Sequence, residues 1–100
     1  MKKILLVCAA GMSTSLLVNK MKETATKEGH EVEISAVAKE KLDANIEGAN
    51  ILLLGPQIGY LEDDFQDLYK DRNIPIKVIN SVDYGMMNGK KILKESLALI

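Results

Sequence analysis

The run KILLV at positions 3–7, apolar after its first residue, is followed at once by the small-residue turn CAAG at positions 8–11. An uninterrupted apolar run of this length is typical of a strand buried on both faces, as the central strands of parallel sheets are. A second such run, ILLL at positions 51–54, ends at Gly55-Pro56. We therefore expect these two strands to lie side by side at the centre of one sheet.

The first run leads into a helical pattern that ends near Gly29. Residues 31–36 then alternate polar and apolar side chains, which predicts a half-exposed edge strand. Charged residues occupy one side of the helix, and the pattern assigns to its buried face Leu16, Leu17, Lys20, Met21, Thr24 and Ala25.

The second half of the chain repeats this alternation. Patterns typical of helices cover residues 39–46 and 90–99, and a third helix has an apolar stripe of Ile58, Leu61, Phe65 and Leu68. Pro75 opens a fourth strand at 76–79. The order β-α-β-α-β-α-β-α predicts a three-layer α/β fold with a four-stranded parallel sheet in the order 2-1-3-4 and helices on both faces.

Composition limits the classes of protein that this chain can belong to. Its 100 residues carry 13 Lys and Arg against 14 Asp and Glu, and 4% are aromatic. This balance gives neither the basic surface nor the stacking residues of a nucleic-acid-binding protein. No apolar run approaches the ~18 residues of a membrane span. We expect one domain over residues 1–100 that binds no nucleic acid and does not insert into a membrane.

The single cysteine, Cys8, cannot form an internal disulfide, which favours a reducing, cytoplasmic compartment. The single histidine, His30, follows Gly29 in a different region, where we expect a solvated loop residue. One cysteine and one histidine without ligand spacing predict no metal site and no cofactor.

Cys8 ends the first strand, and the segment that follows it opens a helix. Ligands of parallel sheets bind beyond the carboxyl ends of the strands, at the point where the strand order reverses. That rule places Cys8 beside the loop Gly55-Pro56-Gln57. Backbone N–H groups and the helix dipole favour both the thiolate and a bound phosphate. The predicted phosphate loop consists of Ala9, Ala10, Gly11, Met12, Ser13, Thr14 and Ser15.

This loop differs from that of cysteine phosphatases at one decisive position. Their motif is Cys-x5-Arg-Ser/Thr, and the residue six positions after Cys8 is Thr14 instead of arginine. An uncharged hydroxyl cannot match the bidentate clamp by which arginine stabilises transition-state charge. The loop should accept a phosphoryl group and hydrolyse it poorly, as a carrier does. Two alternatives stay open: an enzyme like the low-molecular-weight cysteine phosphatases, and a non-catalytic binding module in which Cys8 is structural.

Three further residues are candidate contacts to the phosphate or to a partner. Gln57 follows the third strand, and Asp83 and Tyr84 follow the fourth. Asp83 stands where small cysteine phosphatases place the loop that supplies a general acid, but no proline follows it here. Gln57 has an alternative interpretation as part of the N-terminal cap of the third helix, and Tyr84 as a packing residue. Met12, Met86 and Met87 lie near the same edge, where an adaptable apolar rim for two partners is one interpretation and core packing another.

Three stretches together resemble one family. They are CAAGMSTSLLVNKM at positions 8–21, LGPQIGY at 54–60 and INSVDYG at 79–85. They resemble the IIB component of the bacterial sugar phosphotransferase system (PTS), lactose/cellobiose (chitobiose) family, and the resemblance covers almost the whole chain.

The resemblance implies a phosphocysteine intermediate. Cys8 would accept a phosphoryl group from a phosphohistidine of the IIA component and pass it to a sugar held by the membrane permease IIC. The sugar would be a β-disaccharide of the cellobiose, chitobiose or lactose type. We expect a monomer in the cytoplasm, brought to the inner face of the membrane through IIC.

Overall fold

Four strands form one parallel sheet in the order that the sequence predicts. The computed structural model describes residues 1–8 and 12–100, apart from the side chains of Met12 and Ser13. Within these residues the order is β2-β1-β3-β4, with every pair parallel. The strands are β1 (Lys2–Cys8), β2 (Val32–Ala38), β3 (Ile51–Leu54) and β4 (Ile76–Val78).

Helices and short 3-10 turns connect the strands. The 3-10 turns are Lys39–Lys41, Pro56–Leu61 and Lys70–Arg72. The α-helices are α1 (Met12–Glu28), α2 (Leu42–Asn45), α3 (Glu62–Leu68), α4 (Ser81–Gly85) and α5 (Gly89–Leu97). The short helix α4 is absent from the sequence-based prediction, since its five residues are too few for a helical period to show.

Alternate residues of β1 enter two separate cores, one on each face of the sheet. Ile4 and Leu6 pack with residues of α1 and α5, whereas Leu5 and Val7 pack with residues of α2 and α3. Because both faces are covered by helices, β1 has no solvent side and its sequence is continuously apolar. This confirms the three-layer arrangement that the apolar runs predict.

The buried face of α1 is rotated from the predicted one. The structure leaves Leu16 51% exposed and Lys20 exposed, so both assignments are wrong. Burial repeats three or four residues apart, the spacing that lines up side chains on a helix. The buried positions are Thr14, Leu17, Val18, Met21 and Ala25.

A similar correction applies to α3. Leu68, predicted in its apolar stripe, is 64% exposed, and the adjacent Tyr69 is buried instead. Tyr69 lies four residues after Phe65 and packs against its ring, with the centroids 6.2 Å apart. The Tyr69 hydroxyl donates a 3.0 Å hydrogen bond to Asp43. An amphipathic tyrosine therefore completes the core where the sequence suggests a leucine.

No helix in the described part of the chain is both long and apolar enough to cross a membrane.

Candidate functional site

Cys8 is the last residue of β1, at the carboxyl edge of the sheet. It pairs with Ala38 of β2, and its side chain lies on the same face as Ile4 and Leu6, towards α1 and α5. Only 2% of Cys8 is exposed, so its sulfur is not accessible at the surface. β1 is a central strand with β2 on one side and β3 on the other, and helices cover both faces of the sheet. Cys8 is therefore buried although it ends the strand.

The loop after β3 lies directly beside Cys8, as the switch-point rule predicts. The N–H of Gly55 donates a 2.9 Å hydrogen bond to the carbonyl oxygen of Val7. A Cβ added at Gly55 would lie 3.0 Å from Oε1 of Gln57 and 3.5 Å from Cβ of Cys8. Gly55 therefore leaves room for the Gln57 amide and the cysteine to approach one another. Gln57 itself is exposed, which leaves its amide accessible to a ligand or partner.

The helix α1 begins at Met12, four residues after Cys8. Ala9, Ala10 and Gly11 lie outside the described residues, and so do the side chains of Met12 and Ser13. Their predicted contacts with phosphate stay predictions. Only three residues separate Cys8 from the N-terminal turn of α1, and the N–H groups at the start of a helix favour an anion.

Thr14 and Tyr84 bond to each other instead of facing solvent. Oγ1 of Thr14 lies 3.0 Å from the Tyr84 hydroxyl, and the two residues are 1% and 6% exposed. Ser15, the next residue of the predicted phosphate loop, is exposed. Tyr84 therefore has almost no surface to offer a partner protein and instead contacts the first turn of α1.

Asp83 is directed towards α5. Its carboxylate lies 3.3 Å from Nζ of Lys91 and 3.5 Å from Nδ2 of Asn88, and its side chain is 8% exposed. A donor therefore lies beside each of the two carboxylate oxygens. The geometry thus favours a structural role for Asp83.

Exposed apolar side chains follow the carboxyl ends of β3 and β4. Tyr60 is 74% exposed, Val82 63% and Met86 74%. Val82 and Met86 are four residues apart and lie on the same side of α4. Met87 packs against the core, as the second of the two interpretations expects, and Met86 is exposed, whereas the Met12 side chain lies outside the described residues. Where such exposed side chains are contiguous, they are typical of a surface that binds another protein.

His30 lies away from this edge and is exposed, as expected for a solvated loop residue. It precedes β2 at the amino end of the sheet, where its Nε2 lies 3.4 Å from Glu28. Within residues 1–8 and 12–100, no group of three or more His, Cys, Asp or Glu side chains could hold a metal ion.

Comparison with known proteins gives a consistent result. Residues 3–95 match the family model described as "PTS system, Lactose/Cellobiose specific IIB subunit". The chain is 46% identical over its whole length to the oligo-beta-mannoside-specific EIIB component of Bacillus subtilis (strain 168), covering 97% of that protein. It is 41% identical to the galactose-specific EIIB component of Lactococcus lactis subsp. cremoris (strain MG1363), with 92% of this chain and 90% of that protein covered.

Solved structures agree with these relatives. The cellobiose-specific IIB component of Borrelia burgdorferi superposes with a TM-score of 0.81 at 37% identity, covering 98% of this chain and 90% of that one. The lactose-specific IIB domain of Streptococcus pneumoniae has the same fold, with a TM-score of 0.88 at 19% identity over 98% of this chain and 96% of that one. EIIB components are phosphotransferases that pass phosphoryl groups to sugar and work with IIA and IIC partners. The chain thus belongs to the lactose/cellobiose-specific IIB family of the sugar phosphotransferase system.

Proposed function

We propose that Cys8 carries the phosphoryl group of this IIB component as a phosphocysteine. The observation that supports it is the place of the only thiol in the sequence. Cys8 ends the central strand at the carboxyl edge, beside Gly55 and Gln57 and four residues before α1 begins. This is the switch point at which parallel α/β sheets bind ligands.

The first step takes the phosphoryl group from a phosphohistidine of the IIA component. The Cys8 sulfur attacks phosphorus in line with the histidine nitrogen, so that an S–P bond forms while the N–P bond breaks. The thiol proton ends on the imidazole nitrogen. The N–H groups of the loop and of the first turn of α1 bind the equatorial oxygens, which carry charge throughout the transfer.

The second step passes the group to a sugar bound by IIC. A sugar hydroxyl attacks phosphorus, an O–P bond forms while the S–P bond breaks, and the hydroxyl proton passes to the sulfur, which regenerates the thiol. A sulfur stabilised by the helix N-terminus is a good leaving group.

Thr14 supports a carrier in preference to a phosphatase. It occupies the position that holds arginine in cysteine phosphatases, and its hydroxyl is held 3.0 Å from Tyr84. Without a guanidinium at this position, water attack on phosphocysteine loses its strongest source of charge stabilisation. The intermediate therefore persists until a partner accepts it.

The partners are a phosphorylated IIA component and a IIC permease with bound sugar. Tyr60, Val82 and Met86 are the exposed apolar residues that we assign to the contacts with both partners. Since Cys8 is 2% exposed, docking has to uncover its sulfur.

The chain acts as a monomer in the cytoplasm, at the inner face of the membrane when bound to IIC. We infer a β-disaccharide of the cellobiose, chitobiose or lactose type as the sugar.

Intact-mass analysis after incubation with phosphorylated IIA tests the proposal. The wild-type chain should gain one phosphoryl group, Cys8→Ser should gain none, and His30→Gln should behave as wild type. The adduct should disappear when IIC-containing membranes and sugar are added. Sustained hydrolysis of an aryl phosphate by the wild-type chain alone would instead favour the phosphatase-like enzyme.

A further inference from the structure

The hydrogen bond between Thr14 and Tyr84 joins two segments 70 residues apart on the Cys8 side of the sheet. Thr14 is the third residue of α1, and Tyr84 belongs to α4. Both are nearly fully buried, so each hydroxyl provides the partner that the other needs. The bond therefore fixes the first turn of α1 relative to α4.

The helix α4 is itself firmly held. Oδ1 of Asn80 accepts hydrogen bonds from the N–H groups of Val82, at 2.8 Å, and Asp83, at 3.2 Å. The Asp83 carboxylate pairs with Lys91 of α5 at 3.3 Å. These contacts hold Val82 and Asp83, the two residues before Tyr84, and so fix the backbone from which its ring projects.

The ring of Tyr84 adds a third constraint. It belongs to the same core as Leu17 and Met21, which lie one and two turns further along α1. Packing of this kind restricts the ring to one orientation. The hydroxyl therefore meets Thr14 at a fixed point, three residues after the connection that leaves Cys8.

We propose that Tyr84 is a positioning residue for phosphoryl transfer. By holding Thr14 it fixes the direction in which the first turn of α1 presents its N–H groups to a phosphoryl group on Cys8. This inference rests on the proposed function of Cys8. Tyr84 acts through α1 and does not touch the phosphoryl group, in contrast to the direct contact that the sequence suggests.

Tyr84→Phe removes the hydroxyl and keeps the ring, and Tyr69→Phe is its matched control. The Tyr69 hydroxyl makes a bond of the same 3.0 Å length to Asp43, on the opposite face of the sheet. Hydrogen exchange of the unphosphorylated full chain measures the effect on α1. The amides of residues 16–18 should exchange about fivefold faster in Tyr84→Phe, the factor expected from one buried hydrogen bond, and at the wild-type rate in Tyr69→Phe.

The second measurement is the rate of phosphoryl transfer from phosphorylated IIA under conditions in which all variants are folded. Tyr84→Phe should lower kcat about tenfold or more and leave KM for IIA unchanged, since the docking surface is intact. Tyr69→Phe should match the wild type. Thr14→Val should reproduce the loss, and Thr14→Ser, which retains the hydroxyl, should restore the rate.

Two results would overturn the inference. Unchanged exchange in Tyr84→Phe would show that the bond does not hold α1. Faster exchange with an unchanged kcat would show that it serves stability alone. If the wild-type chain accepts no phosphoryl group, the proposed function of Cys8 fails, and the positioning role of Tyr84 fails with it. If the wild-type chain accepts the group and Tyr84→Phe transfers it at the same rate, only the positioning role fails.

Discussion

The N–H of Gly55 donates a 2.9 Å hydrogen bond to the carbonyl oxygen of Val7, the residue before Cys8. This bond extends the β1–β3 pairing by one step beyond its last paired residues, Val7 and Leu54. It fixes the distance between the cysteine and the loop that carries Gln57. The relative position of the thiol and the amide therefore depends on the sheet and not on the loop alone.

Gly55→Ala tests whether this close approach matters for transfer. The new Cβ would meet Oε1 of Gln57 at 3.0 Å, and the flexible amide would have to move away from the cysteine. We expect a loss of stability below about 1 kcal/mol and a slower transfer from phosphorylated IIA. Gln57→Ala is the control: in that background Gly55→Ala should have little further effect on the rate. Additive effects of the two changes would show that Gly55 acts by another route.

Gly89→Ala tests the contact between α5 and α1. A Cβ at Gly89 would lie 2.8 Å from Cβ of Lys20 and 2.9 Å from its carbonyl carbon, so the two helices would have to separate. We expect a loss of about 1–3 kcal/mol in the free energy of unfolding, measured in urea. Gly85→Ala is the matched control, since a Cβ there has open space and alanine favours the helix. An equal loss in both variants would contradict the packing account.

Asp83→Asn tests whether the Asp83 carboxylate has a structural role or acts as a general acid. Asparagine can still accept a hydrogen bond from Lys91, so we expect a loss of about 1 kcal/mol in stability and a transfer rate close to that of the wild type. Lys91→Met should destabilise more, because it leaves a buried carboxylate without its cation. A general acid contributes about 10² to 10⁴ to a rate, so a loss of that size in Asp83→Asn would assign it to catalysis.

Tyr69 makes stability depend on pH at the alkaline end. Burial raises the pKa of its hydroxyl above the ordinary 10.0, and the hydrogen bond to the Asp43 carboxylate and its charge add to the rise. The folded state therefore favours the protonated hydroxyl. That contribution is complete below the unfolded pKa of about 10 and is lost as the pH rises through the higher folded pKa.

Urea unfolding of wild type and Tyr69→Phe at several pH values checks this sign. The stability difference between the two proteins should be constant up to about pH 9 and shrink above pH 10. The Arg72 guanidinium lies 5.8 Å from the ring centroid, a contact that phenylalanine keeps, so the comparison isolates the hydroxyl. A difference that grows above pH 10 would contradict the assigned direction.

The strands and their order follow from the sequence because a strand that is buried on both faces has a continuous run of apolar residues. ILLV at positions 4–7 and ILLL at 51–54 have no polar side, which is sufficient to place these strands at the centre and Cys8 at the switch point. The sequence does not predict every buried residue of the helices. Leu16 and Leu68 are apolar yet exposed, because a helical face is set by the packing partner as well as by the residue type.

Contacts between distant segments are the part that the sequence could not supply. Nothing in the local pattern shows that Thr14 bonds Tyr84, since both residue types also suit a surface near phosphate. The same holds for Asp83. Its position after the fourth strand suggests a general acid, and nothing in the sequence shows that its carboxylate pairs with Lys91, eight residues further along the chain. Position relative to a strand end predicts which residues are near the site, and only the packing shows which of them are buried and paired.

The most direct test of the account is to locate the phosphoryl group. The full chain is phosphorylated by its IIA partner, quenched, and fragmented for mass spectrometry, so that the modified residue is read from the fragment masses. We predict one phosphoryl group, on Cys8. A phosphoryl group on His30, with Cys8 unmodified, would contradict the assignment of the carrier to the carboxyl end of β1.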